Sequence, residues 1–139
     1  MTHVCFHVQL ILNRTKRKLR ILIGPAKNGD INIIPNTFGS GSTGRIEIFL
    51  QGSWQTVCDK NFTKGAANVV CQQAGWGRAS SFSSFYKSGT GKIGLVNVRC
   101  TGLESSLLEC PYDSSNVESV CNHNDDVGVS CYQCKLNSF

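Results

Sequence analysis

The chain has 139 residues, of which 8 are cysteines, and its 14 Lys and Arg against 9 Asp and Glu give a formal net charge of +5. This length allows one ordinary domain with its own core, and a composition of 40% apolar and 17% charged residues excludes a disordered chain or a coiled coil. No stretch approaches the roughly 18 apolar residues of a membrane-spanning helix, so the sequence predicts no bilayer span.

The net charge belongs to the N-terminal part of the chain. Residues 1–40 contain six basic residues and one acid, Asp30, whereas residues 41–139 contain 8 basic and 8 acidic residues. The six basic residues are Arg14, Lys16, Arg17, Lys18, Arg20 and Lys27. Such a run of basic residues is typical of a solvated face or a flexible arm. The alternative, more specific role is contact with a polyanion or a phosphate. We expect residues 1–18 to form a basic, poorly ordered segment.

The first predicted elements are strands. Residues 19–23 are compatible with a first strand, and residues 24–43 are rich in Gly, Pro, Asn and Ser and indicate a long loop. Residues 45–50 alternate as a half-buried strand should. A turn at residues 51–53 and a second strand over residues 54–58 complete a predicted hairpin.

After the hairpin, the spacing of the apolar residues changes from that of a strand to that of a helix, which predicts one helix between Thr63 and Gly75. Thr63 is the expected N-cap and Gly75 the expected C-terminal stop. The apolar positions that would share one helix face are Ala66, Ala67, Val70, Cys71 and Ala74.

The C-terminal half alternates short strands with turns. Residues 92–100 and 127–132 are predicted strands, and Ser105 or Ser106 is the expected cap of a short helical turn that runs through Glu109. Pro111 is expected to end that turn. One helix among about five short strands predicts an α+β fold.

The cysteine spacing indicates an oxidising compartment. Six cysteines are spread between residues 58 and 131 without the close pairs of a zinc site, so we interpret them as a disulfide framework. Six cysteines allow 15 pairings, and spacing alone does not choose among them. Asn13 and Asn61 lie in Asn-x-Thr glycosylation motifs, which agrees with secretion. The N-terminus lacks the order of features of a signal peptide, so we expect either that the true start is missing or that this is a domain of a longer secreted or membrane-anchored chain.

The sequence indicates no catalytic constellation. His123 is the only histidine in residues 41–139 and lies in a loop next to Cys121, where a structural hydrogen bond is the favoured role. The two Gly-x-Gly-x-x-Gly patterns, which begin at Gly39 and Gly89, run into predicted strands and therefore indicate turns rather than a phosphate loop. We predict that the chain is not an enzyme.

Three carboxylates are candidates for cation binding rather than for catalysis. Asp59 follows Cys58, and Asp125 and Asp126 adjoin each other. If a disulfide joined Cys58 to Cys121, their Cα atoms would lie about 5.5 Å apart and bring the three acids within reach of one another. Carboxylates so gathered suit Ca²⁺, whereas adjacent carboxylates are more commonly just solvated.

The chain resembles the scavenger receptor cysteine-rich (SRCR) domain from about residue 19 to residue 132. The resemblance rests on ordered motifs at residues 44–48 (GRIEI), 52–59 (GSWQTVCD), 66–75 (AANVVCQQAG), 100–110 (CTGLESSLLEC) and 121–131 (CNHNDDVGVSC). It implies a small disulfide-stapled domain in which a curved antiparallel β-sheet cradles one α-helix. Residues 133–139 would then form a C-terminal tail.

The resemblance also implies the disulfides Cys58–Cys121, Cys71–Cys131 and Cys100–Cys110. One subgroup of the family has a further bonded pair, whose positions fall near Thr43 and at Trp76 in this sequence. Neither is cysteine, so the chain resembles the six-cysteine (group A-like) subgroup. Cys5 and Cys134 fit neither position, and they could pair with each other, pair between chains or be boundary residues.

A calcium site is implied by the resemblance and weakened by the sequence. Family members carry two Asp after the cysteine that aligns with Cys58 and a further acid in the loop that contains Asp125. Lys60 stands in place of the second Asp, which is expected to reduce or abolish Ca²⁺ affinity, and the alternative is that Lys60 pairs with Asp59 or Asp125. A second site is doubtful, because only Asn97 is polar where acids are usual.

The resemblance implies a non-catalytic extracellular binding module for proteins, polyanions or microbial surfaces. The second hypothesis is an accessory domain of a secreted protease or oxidase whose catalytic domain lies outside this chain. A third is a nucleic-acid binder that uses residues 14–20, and we do not expect nucleic acid as the main partner.

Overall fold

The computed structural model describes residues 24–37 and 39–134. The predictions for residues 1–23, the possible first strand among them, and for residues 135–139 lie outside this part of the chain. Six strands form one sheet, in chain order β1 (Ile31–Ile34), β2 (Thr43–Leu50), β3 (Ser53–Val57), β4 (Ala79–Ser83), β5 (Ile93–Leu95) and β6 (Gly128–Cys131). One helix, α1 (Lys64–Gln73), lies between β3 and β4.

Strand β2 is the centre of the sheet because three strands pair with it. The strand order is β4-β6-β2-β3-β5, and β1 pairs with β2 as well. The pairs are antiparallel except for β3 and β5, which are parallel. The expected curved sheet with a single helix is confirmed, and the sheet is mixed because β5 is reached by a long crossover rather than by a hairpin.

The hairpin and the helix form as their local sequences predict. Gln51 and Gly52 both have positive φ, 49° and 85°, which matches the twist of a two-residue turn between β2 and β3. The Thr63 side chain accepts a hydrogen bond from the Ala66 amide and caps α1. Gly75, with a φ of 86°, follows the helix where the sequence predicts its end.

Two segments differ from the sequence predictions. The predicted loop over residues 24–43 contains β1, whose residues 31–34 pair antiparallel with residues 45–48 of β2. The predicted strand over residues 92–100 is regular only in β5, since Val96 then forms an isolated bridge with Asp113.

The core lies between the sheet and α1. One face of α1 is buried, and it packs against β4 and β6. Ile46, Ile48, Val57, Val127 and Val129 contribute fully buried side chains from the sheet side. Leu107, in the short 3-10 turn Leu107–Glu109 that Ser106 caps, closes the end of this core.

Candidate functional site

Of the three disulfides within residues 24–37 and 39–134, two join segments 63 and 60 residues apart and one closes a local loop. They join Cys58 to Cys121, Cys71 to Cys131 and Cys100 to Cys110, with Cα–Cα distances of 6.3, 5.6 and 5.0 Å. These are the pairs that the family resemblance implies. Cys58–Cys121 links the end of β3 to residues 121–126, which we call the acidic loop.

Cys134 is also disulfide-bonded, so it is not an unpaired cysteine. Its sulfur lies 3.9 Å from the carbonyl oxygen of Gly75 at the end of α1. The partner of this disulfide and the prediction for Cys5 lie outside the described residues.

The acidic loop is held against the end of β3 by backbone contacts. The Asp59 amide donates a 2.7 Å hydrogen bond to the Asp125 carbonyl, and Cys58 forms an isolated bridge with Asp126. The loop contains a 3-10 turn, His123–Asp125, that Asn122 caps. The Asp125 carboxylate accepts a 2.9 Å bond from the Asn122 amide, which completes a capping box.

Lys60 extends over this loop. Its ammonium nitrogen lies 3.8 Å from Asp125 Oδ2 and donates to the Val120 carbonyl. Lys60 lies in the turn that follows β3, in which the Phe62 amide donates to the Asp59 carbonyl, and its own amide lies 3.5 Å from the Cys58 sulfur. Of the two pairings that the sequence left open, the structure therefore shows the one with Asp125.

Asp126 takes part in a separate, buried arrangement. Its side chain is only 1% exposed, and its Oδ2 lies 2.8 Å from the Gly89 amide nitrogen and 2.9 Å from His123 Nδ1. His123 Nε2 lies 3.0 Å from the Gly91 carbonyl oxygen. Two side chains of the acidic loop thus fasten residues 87–91, which we call the glycine loop.

The neighbours of His123 favour its protonated form. Burial of the ring lowers its pKa, but the hydrogen bonds to Asp126 and Gly91 and the charge of Asp126 outweigh burial and the opposing charge of Arg45, so the pKa is raised. Both partners are acceptors, and only an imidazolium donates from both ring nitrogens. Because both nitrogens are engaged, the geometry favours the structural role that the sequence assigned to His123.

Polar side chains pack closely around Gly89. Arg45 donates to the Lys87 carbonyl at 2.6 Å and to Glu47 at 2.8 Å, and it lies beside the glycine loop. A Cβ added to Gly89 would lie 2.6 Å from Thr56 Cγ2, 2.9 Å from Arg45 Nε and 3.2 Å from Asp126 Oδ2. Only glycine fits here without displacing these side chains, so Gly89 is required by close packing as well as by the predicted turn.

The three aspartates do not converge on one point as a calcium site requires. Asp126 bonds to the glycine loop, and Asp125 lies beside the Lys60 ammonium. Among the described residues, the groups of three possible ligand atoms within 4.8 Å of one another are Cys58, Cys121 and Asp125, and Cys100, Glu104 and Cys110. Each contains two sulfurs of one disulfide, and Ca²⁺ prefers six to eight oxygens, so these residues do not fit the ion.

Asn97 bridges two neighbours rather than gathering acids. Its side-chain oxygen accepts from Asn61 Nδ2 at 2.7 Å, and its side-chain nitrogen donates to Asp113 Oδ2 at 2.7 Å. Sequence reasoning did not anticipate the part played by Asp113, which is brought close by the bridge to Val96. Glycosylation of Asn61 stays a prediction, and Asn13 lies outside the described residues.

Sequence reasoning also missed the role of Glu104. Its carboxylate accepts hydrogen bonds from the Thr101 hydroxyl and from the backbone amides of Thr101, Gly102 and Leu103. The Thr101 hydroxyl contributes most, and these bonds together lower the pKa of Glu104 to about 2. The only local signal was Gly102, which adopts a φ of 102°. The turn presents Leu103 to solvent with 90% of its surface exposed.

Large apolar side chains are exposed on several loops and strand ends. A groove of about 200 Å³ also opens between the β2–β3 turn and Tyr112, and Gln55, Lys92 and Leu108 contribute to its lining. The exposed large apolar residues are Trp54, Phe85, Leu103, Tyr112, Val120 and Tyr132. No helix in residues 24–37 and 39–134 has both the length and the apolar character needed to span a membrane.

Comparisons with known proteins agree with this architecture. The scavenger receptor cysteine-rich domain profile matches residues 38–132. Lysyl oxidase homolog 2 of Mus musculus is 44% identical over 98 residues, which cover 69% of this chain and 12% of that protein. Lysyl oxidase homolog 2B of Danio rerio is also 44% identical over 98 residues, or 69% of this chain and 13% of that protein. The chain thus spans about one eighth of the curated relatives it matches.

Two solved structures have the same fold. The third SRCR domain of murine neurotrypsin superposes with a TM-score of 0.61 at 32% identity, covering 76% of this chain and 97% of that one. The SRCR domain of mouse MARCO, in its dimeric form, gives a TM-score of 0.59 at 39% identity and covers 64% of this chain and 85% of that one.

Proposed function

Since the chain belongs to the scavenger receptor cysteine-rich family, we propose that it is a non-catalytic, extracellular ligand-binding module. The observation that supports this proposal is a disulfide-linked scaffold with rigid, exposed loops. The Glu104 turn shows the principle, because Glu104 and the Cys100–Cys110 disulfide fix the backbone on either side of exposed Leu103. Loops ordered in advance lose little conformational entropy when they bind.

A binding role also agrees with how the polar groups are used. Both nitrogens of His123 have partners, and the Asp126 carboxylate is buried beneath the glycine loop. Neither group is placed to take a proton from a bound molecule. The polar cluster therefore supports the shape of the surface rather than chemistry upon it.

The charge distribution favours anionic ligands for the whole chain. Residues 41–139 have 8 basic and 8 acidic residues, and the excess of +5 comes from residues 1–40. We propose that the basic segment attracts polyanions at long range, while the exposed loops make the short-range contacts. Attraction of this kind weakens with salt, since each neutralised charge releases counterions.

A solid-phase assay with the secreted, oxidised chain tests this proposal. The probes are immobilised heparin and whole bacteria, with and without chelator, over a range of salt. The test variant replaces Arg14, Lys16, Arg17, Lys18 and Arg20 with Gln. Its matched control replaces five exposed basic residues of the domain with Gln, namely Lys64, Arg78, Lys87, Lys92 and Arg99. We expect salt-sensitive binding that the first variant loses and the second largely keeps. Binding that does not change with salt and is the same for the first variant as for the wild type would refute the electrostatic mechanism. No binding to any probe would refute polyanion recognition.

The relatives favour a second candidate. Because lysyl oxidase homolog 2 proteins match over only about one eighth of their length, we also propose that this domain serves as an accessory module beside a catalytic domain of a secreted oxidase. Reading the transcript beyond both ends of this sequence tests the idea. An adjoining oxidase domain would support it, and flanking sequence without any catalytic domain would refute it.

A further inference from the structure

We propose that Lys60 is a built-in cation that holds the acidic loop in the place where a divalent ion would otherwise be needed. The ammonium group makes this part of the domain independent of calcium. Exchange of this one residue for Asp would turn the position into a divalent-cation site. The inference concerns the domain itself and stands whether or not the proposed ligands bind.

The Lys60 ammonium group lies between two oxygen atoms. Lys60 Nζ donates to the Val120 carbonyl and lies 3.8 Å from Asp125 Oδ2, so it contacts an oxygen on either side of Cys121. A carbonyl and a carboxylate are oxygen ligands of the kind that Ca²⁺ takes. Lys60 thus supplies one positive charge among groups that suit a metal ion.

The surrounding chain fixes these oxygens. The Cys58–Cys121 disulfide holds the loop two residues from Lys60, and the Asp59 amide bonds to the Asp125 carbonyl at 2.7 Å. Within residues 24–37 and 39–134 the Asp59 carboxylate has no hydrogen-bond or ion-pair partner. Asp59 therefore contributes an uncommitted carboxylate at the residue next to Lys60.

Charge decides which cation the site accepts. Asp59, Lys60 and Asp125 together carry a charge of −1, because two carboxylates oppose one ammonium. A divalent ion would meet the ammonium at close range, and that repulsion offsets the attraction of the carboxylates. Asp at position 60 removes the ammonium and adds a third carboxylate, which makes the set −3 and favours a divalent ion.

Three variants of the full, oxidised chain test the inference by thermal unfolding in EDTA and in rising CaCl₂. The wild type should keep the same Tm under both conditions. Lys60→Asp should lower Tm in EDTA and recover it saturably with calcium, by roughly 5 °C at ten times the Kd. Adding Asp125→Asn to Lys60→Asp should remove most of that recovery.

Lys60→Gln is the matched control, because it removes the ammonium without adding a carboxylate. It should lower Tm equally in EDTA and in calcium. A saturable calcium-induced rise in Tm of the wild type, or calcium-binding heat in calorimetry, would overturn the proposal even if Lys60→Asp does not fold. A folded Lys60→Asp chain that is indifferent to calcium would also overturn it.

Discussion

Replacing Asp126 with Asn probes the contact between the acidic loop and the glycine loop. In the wild type, His123 lies between two acceptors, the Asp126 carboxylate and the Gly91 carbonyl, so only its protonated ring satisfies both. The Gly89 amide and His123 Nδ1 both contact Asp126 Oδ2, so in Asp126→Asn an amide oxygen at that position can still accept from both, but it carries no negative charge. The imidazolium then loses its charged partner, whereas a neutral ring loses less.

The loss of stability should depend strongly on pH. A hydrogen bond to a charged group contributes about 1.5–3 kcal/mol, so we expect Asp126→Asn to lose about 2 kcal/mol at pH 5.5. The folded pKa of His123 is raised, and its stabilisation is therefore present below the unfolded value of about 6.5 and lost as pH rises through the folded pKa. At pH 8.5 the loss should fall below about 1 kcal/mol, because a neutral ring gains less from the carboxylate than an imidazolium does.

Urea unfolding followed by tryptophan fluorescence, at pH 5.5 and 8.5, measures both values. An NMR titration of the imidazole protons should show the pKa of His123 lowered in Asp126→Asn, with His123→Gln as the control that assigns the signal. An equal loss of stability at the two pH values, or an unchanged pKa, would refute the reasoning that an imidazolium links the two loops.

Three further substitutions test other parts of the structure. Glu104→Gln should destabilise the chain at pH 7. Because the pKa of Glu104 in the wild type is lowered to about 2, the difference in Tm between the two chains should shrink as pH falls from about 4.5 towards 2. Circular dichroism melts would measure this, and a difference in Tm that stays constant with pH would contradict it. Leu107→Ala should cost about 3 kcal/mol in urea unfolding, since its side chain is fully buried, whereas the matched Leu103→Ala at an exposed position should cost under about 0.5 kcal/mol. Gly65→Ala should cost about 3 kcal/mol in the same assay, because its Cβ would overlap the carbonyl group of Cys100, and a loss under about 1 kcal/mol would show that α1 can shift away.

Local signals predicted much of the fold. Thr63 and Gly75 mark the ends of α1, and the alternation of residues 45–50 predicts β2, because caps, turns and side-chain periods act between neighbouring residues. Strand β1 was missed since Gly, Asn and Pro surround its apolar residues, and only pairing with β2 makes them a strand. The parallel partner of β3 was missed for the same reason, as its contact is distant in sequence.

The candidate site was predicted in its members but not in their geometry. Asp125 and Asp126 adjoin in sequence, yet one lies beside Lys60 and the other bonds to Gly89. The side chains of Asp125 and Asp126 point in different directions. The partner that each contacts depends on which other segment of the folded chain packs against it. Lys60 was recognised as an unusual residue, but its contact with the Val120 carbonyl needed the folded chain.

The order of the cysteines restricts when this domain can finish folding during synthesis. The disulfides Cys58–Cys121 and Cys71–Cys131 interleave along the chain, with sequence separations of 63 and 60. Of the three disulfides whose two cysteines are both described, only Cys100–Cys110 closes locally, with a separation of 10. Strand β6, which carries Cys131, lies between β4 and β2, so the sheet stays open until the last strand has left the ribosome and its exit channel. Nascent chains would therefore carry several reactive thiols at once and depend on disulfide isomerases to avoid premature pairing.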